Sequence, residues 1–179
     1  MNVCVYCGSR PGVDPLHAES ARTLGHLIAT RGWGLVYGGG SVGLMGEVAR
    51  AVRASGGPVT GIIPEFLATE EIALRGDGID LITVPSMHTR KYLMIERSHA
   101  IIALPGGYGT LDELFEAITW KQLGLHSVPI GLLNTNGYFD GLIAMISHMV
   151  TEGFVRPQHA NLFVSSADPA HLLDLVAGE

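Results

Sequence analysis

At 179 residues, 47% hydrophobic and 16% charged, the chain has the size and apolar content of a single domain running from 1 to 179. A formal charge of -6 and a pI near 5.7 argue against a nucleic-acid polymer or an anionic membrane as the main partner, and leave a small phosphorylated molecule compatible. The N-terminus lacks the charged-then-apolar pattern of a signal peptide, and no run of about 18 apolar residues could span a bilayer, so the expected location is the cytoplasm.

In chain order, residues 2–7 read as a first strand carrying Cys4 and Cys7. Their odd offset sends the thiols to opposite faces, and no second cysteine pair exists to complete a metal site, so core packing is the expected role. Asp14-Pro15 marks a helix start, a capping side chain ahead of a proline suited to the first turn. A second strand, 34–37, runs into Gly38, Gly39, Gly40, Ser41, Val42 and Gly43, after which Leu44, Met45, Val48, Ala49 and Val52 recur at helical spacing. Gly38, Gly40 and Gly43 satisfy the dinucleotide pattern GxGxxG, but at the second strand-helix turn rather than the first; Glu65 stands roughly where that fingerprint wants its acid. Close packing of helix on strand explains the same glycines.

A third strand is expected at 59–63, followed by a loop from 65 to 78 with one helical turn, long enough to cover a site. After a strand at 79–84, Ser86 caps a helix beginning Met87, His88, Thr89, Arg90, Lys91. Two cations in a first turn oppose the helix dipole and point to an anion nearby, and Arg90, three and four residues before Leu93 and Met94, can seat its stem on the core and aim its head at the sheet edge.

The fifth strand, 100–104, enters Pro105-Gly-Gly-Tyr-Gly-Thr-Leu-Asp-Glu113 and then a helix. First-turn amides have no intrahelical acceptor and side-chain-free glycines let an anion reach them, so this junction can hold a phosphate. Thr110 and Glu113 have capping-box spacing, while Glu113, one turn inside the helix, also has the position to face the sugar of a bound nucleotide. Asp112 and Glu116 are expected to complement the dipole and face solvent. Further strands at 128–133 and 161–164 flank a helix whose core face is Phe139, Leu142, Ile143, Ile146, Met149 and Val150, and Asp168-Pro169 opens the last helix. The alternation of apolar strands with amphipathic segments predicts a doubly wound, Rossmann-like α/β domain, a parallel sheet with helices on both faces and a site at the carboxyl ends of the strands. A mean hydropathy of +0.31 leaves apolar helix surface for a symmetric dimer.

Taken together, Tyr6-Cys7-Gly8-Ser9, Gly38 to Gly46 as GGGSVGLMG, Ser86 to Lys91 as SMHTRK, the PGGYGTLDE run, and the stretches around Thr119-Trp120 and Gly137-Asp140 resemble the LONELY GUY family of cytokinin-activating phosphoribohydrolases. The resemblance implies hydrolysis of an adenine-type nucleoside 5'-monophosphate, especially one with an isoprenoid substituent, to free base and ribose 5-phosphate by a homodimer that uses no metal and no cofactor. It implies Arg90 and Glu113 as catalytic residues and a substrate-binding set of Ser9, Gly39, Gly40, Gly43, Glu65, Arg90, Lys91, Gly106, Gly107, Tyr108, Gly109, Thr110, Leu111, Asp112, Glu113 and Thr119, with Glu71 the rival of Glu65. Thr89, Tyr92 and Asp112 depart from the family pattern. A lysine-decarboxylase label sometimes attached to such chains is rejected, because neither lysine, Lys91 or Lys121, has a recognisable Schiff-base setting. Two other readings stand beside it: a nucleotide-binding module without catalysis, and a nicotinamide-dependent oxidoreductase.

Overall fold

The structure, a computed structural model, describes residues 1–68 and 78–178. Seven parallel strands, β1 (Asn2–Tyr6), β2 (Gly34–Tyr37), β3 (Val59–Pro64), β4 (Ile79–Val84), β5 (Ala100–Ala103), β6 (Ile130–Leu133) and β7 (Val164–Ser166), form one sheet in the order β4-β3-β2-β1-β5-β6-β7. Among the described residues six α-helices connect them: α1 (Leu16–Thr30), α2 (Gly43–Ala54), α3 (Met87–Glu96), α4 (Tyr108–Gln122), α5 (Asp140–Thr151) and α6 (Pro169–Ala177). The chain builds outward from β1 to β4, then crosses back to lay β5 on the other side of β1. Its topological switch point therefore lies between β1 and β5, where open α/β sheets place their ligands.

Side-chain alternation sorts the central strands onto two cores, although they read as unbroken apolar runs. Val3, Val5, Leu35, Tyr37, Ile102 and Leu104 face α1, α2 and α6. Cys4, Tyr6, Val36, Ile62, Ile101 and Ala103 face α3, α4 and the Phe139 end of α5. Cys4 and Cys7 fall in different cores, both as buried free thiols, as the odd offset requires. Helix starts follow the expected chemistry: Asp14 Oδ1 accepts from Leu16 N at 2.9 Å, Asp168 Oδ1 accepts from Ala170 N and His171 N, and Ser86 Oγ accepts from Thr89 N.

Two expectations need correction. The last strand is Val164–Ser166 rather than 161–164, a short, largely exposed edge set by pairing with β6. The Thr110–Glu113 capping box does not form: α4 begins at Tyr108 with Gly107 as N-cap, so Thr110 is already the third helical residue and its amide lies inside the turn. Of the loop from 65 to 78, one 3-10 turn at Glu65–Leu67 is as anticipated; Glu70, Glu71, Arg75 and Asp77 lie outside the described residues.

Candidate active site

The N-terminal turn of α4 is a prepared anion site. Gly107 provides no side-chain cap, and the first main-chain bond of the turn runs from Leu111 N to Gly107 O at 3.1 Å. The amides of Tyr108, Gly109 and Thr110 therefore have no helical acceptor. A Cβ built on Gly107 or Gly109 would meet nothing within 4 Å, so these glycines keep the approach open. Gly106 has the opposite role, since a Cβ there would collide with Thr110 Oγ1 and crowd Gly8 N at 2.8 Å.

Beside this turn, α3 delivers Arg90 across the strand ends. Its Nε donates to Ile62 O of β3 and its Nη2 donates to Gly38 O just past β2, both at 3.1 Å. Gly38 is glycine because a Cβ would occupy the position of Nη2. The remaining nitrogen, Nη1, lies 3.7 Å from Glu113 Oε1, and both side chains are only 10% exposed. Burial, the largest influence, drives the Glu113 carboxyl up to about 7, aided by the negative charges of Asp112 and Glu116 and opposed by Arg90 and Lys91. Near neutrality the carboxyl is thus divided between its acid and base forms, as a proton-transfer group requires. Burial also pushes the Cys4 and Cys7 thiols far above their ordinary range, which leaves neither as a thiolate nucleophile.

These groups wall a cavity of about 660 Å³ that spans the ends of β1, β2, β3 and β5. It brings together Ser9, Gly40, Arg90, Gly107, Tyr108, Gly109, Thr110 and Glu113 from the expected set. Gly39 and Gly43 do not line it: both have positive φ, and a Cβ on Gly43 would strike the Ser9–Arg10 backbone, which does. Glu65 is exposed in the turn after β3, from which only Leu67 reaches the wall, and Glu71 is outside the described residues. Leu111, Asp112 and Thr119 line a separate open hollow of about 570 Å³ on the outer flank of α4, with Phe115 and Trp120. Lys91 lines neither; its ammonium is held by Glu116 at 2.6 Å and Asp112 at 3.1 Å. Burial works against that charge, but the hydrogen bonds to Glu116 and Asp112 prevail and hold Lys91 above its ordinary value. Asp112 and Glu116, expected to complement the dipole and face solvent, are thus the anions opposite Lys91, as Glu113 is the one opposite Arg90.

Sequence reasoning missed Arg10, Met45, Ile63 and Leu67 on the cavity wall. Arg10 directly follows the Tyr-Cys-Gly-Ser start and was within reach of that signal; Met45 and Ile63 fell in patterns that looked like core, and Leu67 fell in the loop expected to cover a site. A neighbouring chamber of about 670 Å³, between the β1–α1 loop and Tyr138, shares Gly8, Ser9, Arg10, Gly107 and Tyr108 with the first, and on its wall Tyr138 donates to Gly106 O at 2.5 Å. A pyridoxal cofactor does not fit the residues present, because it needs a free lysine amine at the cavity; Lys91 is ion-paired elsewhere and Lys121 is not on the wall.

Residues 45–176 match the family described as "Possible lysine decarboxylase". The chain is 50% identical over 171 residues, 96% of its length and 75% of the relative's, to a rice (Oryza sativa subsp. japonica) protein named "Probable cytokinin riboside 5'-monophosphate phosphoribohydrolase". It is 47% identical over 171 residues, again 96% of this chain and 75% of the relative, to an Arabidopsis thaliana cytokinin riboside 5'-monophosphate phosphoribohydrolase. Among solved structures, the molybdenum cofactor binding protein of Rippkaea orientalis superposes with a TM-score of 0.73 at 24% identity, covering 99% of this chain and 95% of that one, a likeness of fold.

Proposed function

The chain belongs to the family of cytokinin riboside 5'-monophosphate phosphoribohydrolases, and on that premise we propose that it hydrolyses the N-glycosidic bond of isoprenoid-substituted adenosine 5'-monophosphates to free base and ribose 5-phosphate. The observation that carries this reading is the buried Arg90–Glu113 pair on the wall of a cavity whose other side is an uncapped helix start. Cleavage leaves positive charge on the sugar and places the electron pair of the broken bond on the purine, so the site needs an anion at the ring and positive charge toward the base. With the 5'-phosphate on the amides of Tyr108, Gly109 and Thr110, Glu113 one turn further along α4 lies beside the sugar. Its ionised form stabilises the oxocarbenium-like centre and takes a proton from the attacking water, whose oxygen becomes the sugar's new hydroxyl; the departing purine takes a proton from solvent, and Glu113 returns its own to solvent to close the cycle. Arg90, fixed by two carbonyls, keeps its charge and faces the leaving base. Phosphate binding remote from the bond positions the reacting centre.

Plain adenosine 5'-monophosphate fits the same anchoring. The buried free cysteines suit a reducing cytoplasm, and among the described residues no helix is long and apolar enough to cross a membrane. A homodimer is supported by the exposed apolar residues Tyr92, Leu123 and Leu125 around Trp120. The deciding test is chromatography of products after incubating the protein, and a Glu113→Gln variant, with adenosine 5'-monophosphate and its N6-isopentenyl derivative. Free base from the wild type alone is the expected result; bound but intact nucleotide in both samples refutes it in favour of a non-catalytic binding module.

A further inference from the structure

Arg90 and Lys91 are consecutive on α3, so their side chains diverge by about 100° around the helix. Arg90 turns to the strand ends and the cavity, whereas Lys91 turns along α4. There its ammonium, on a side chain only 9% exposed, donates to Asp112 and Glu116. Those residues lie four apart on one flank of α4, and Glu113 lies between them in sequence. Without the lysine, two negative charges would flank the buried carboxylate on its own helix. With it, α3 supplies two cations against three carboxylates, and the pairing is ordered: Arg90 to the inner one, Lys91 to the outer two.

We propose that Lys91 is a positioning residue, which acts on the reaction through Asp112 and Glu116: it neutralises the charges flanking Glu113 and locks α3 to α4, holding Arg90 and Glu113 face to face. The assignment rests on the reading of Glu113 as the reacting carboxylate. The groups facing Glu113 are Arg90 and Lys91 from α3, Asp112 and Glu116 from α4 itself, and the Cys4, Tyr6 and Cys7 side chains from the β1 side, which are uncharged because burial raises their proton affinity. Among the charged ones, Arg90 lines the cavity while Lys91, Asp112 and Glu116 do not, so any of those three can be changed without altering its wall.

The experiment follows the Glu113 carboxyl carbon by NMR in ¹³C-glutamate-labelled protein across pH 5 to 9, in wild type, Lys91→Met, Lys91→Arg and Glu116→Gln. An electrostatic role moves the Glu113 midpoint upward by roughly one pH unit in Lys91→Met, downward in Glu116→Gln, and returns it near wild type in Lys91→Arg. Should Lys91→Met fail to fold, the opposite displacement in Glu116→Gln carries the test. An unmoved midpoint in folded Lys91→Met, or displacement of both variants in the same direction, overturns the proposal. Base release from the same samples separates the two claims. Turnover whose acid limb follows the NMR midpoint supports both, a uniform loss at every pH with the limb unmoved makes Lys91 a substrate contact and overturns the proposal, and displaced midpoints without any base release from wild type refute the hydrolase reading instead.

Discussion

Glu113 combines two opposed demands. Its carboxyl, raised to about 7 chiefly by burial, is favoured protonated in the folded chain, so its contribution to stability is fully present below the unfolded value of 4.5 and is lost as pH rises through 7. Above neutrality the ionised group costs the fold on the order of 3 kcal/mol. Glu113→Gln should therefore raise Tm at pH 8 and change it little at pH 5, while lowering kcat/KM by about a hundred- to a thousandfold; a calorimetric scan and a rate measurement on the same preparation check both halves. For the wild type, kcat/KM should level off above about pH 7 and fall on the acid side as Glu113 takes up its proton. Gly38 offers an independent probe, since a methyl group there must expel Arg90 Nη2 from its carbonyl; Gly38→Ala should lower turnover at least tenfold, and Arg90 chemical shifts would show the displacement. The identity of this pair was legible in the chain through the family resemblance, and the aim of Arg90 at the sheet edge through its spacing from Leu93 and Met94. Its meeting with Glu113 was not, because Thr110 and Glu113 also suit a local capping box, and it is the start of α4 at Tyr108 and the packing of Leu114 and Ala117 on the sheet that turn the carboxylate inward.

At the scale of the element, α4 sacrifices a cap for a binding site. Gly107 has φ -92, open to any residue, and free space where a Cβ would stand, so Gly107→Asp can be accommodated. The introduced carboxylate would accept the orphan first-turn amides and complement the dipole, leaving stability unchanged or raised by a few tenths to about 1 kcal/mol. It would also repel the 5'-phosphate, and KM for the nucleotide should rise at least tenfold; paired thermal melts and Michaelis curves measure the trade, and a KM that does not move removes the phosphate from this turn. The six helices and seven strands were readable from apolar runs and glycine punctuation because a parallel sheet buried on both faces needs continuous hydrophobic strands. Edge strand β7 was expected at 161–164, too early in the chain, since Val164–Ser166 is mostly exposed and carries little hydrophobic signal: its register comes from β6.

For the whole molecule, the strand order places the switch point between β1 and β5, and the glycine turns after β2 and β5 close on it together. The outer flank of α4 leaves Leu123 and Leu125 more than 60% exposed beside Tyr92 and Trp120. Sedimentation should give twice the chain mass, and Leu123→Glu combined with Leu125→Glu should shift the protein to monomer; a wild type that sediments as a monomer at micromolar concentration removes the dimer. The excess of apolar surface was visible in composition, but not where it lay, because helix faces buried on the sheet and faces left outside carry the same residues. Arg90, meanwhile, ties Ile62 O to Gly38 O, bridging two neighbouring strands, and its removal would take a charged donor from two buried carbonyls, at about 1–3 kcal/mol in all. Inside a cell, the two ways of silencing this protein would leave different traces: an allele altered at Arg90 loses protein to proteolysis as well as chemistry, whereas one carrying glutamine at Glu113 accumulates inert protein to normal or higher abundance. Immunoblots of the two alleles, read beside their phenotypes, would separate absence of the catalyst from absence of catalysis.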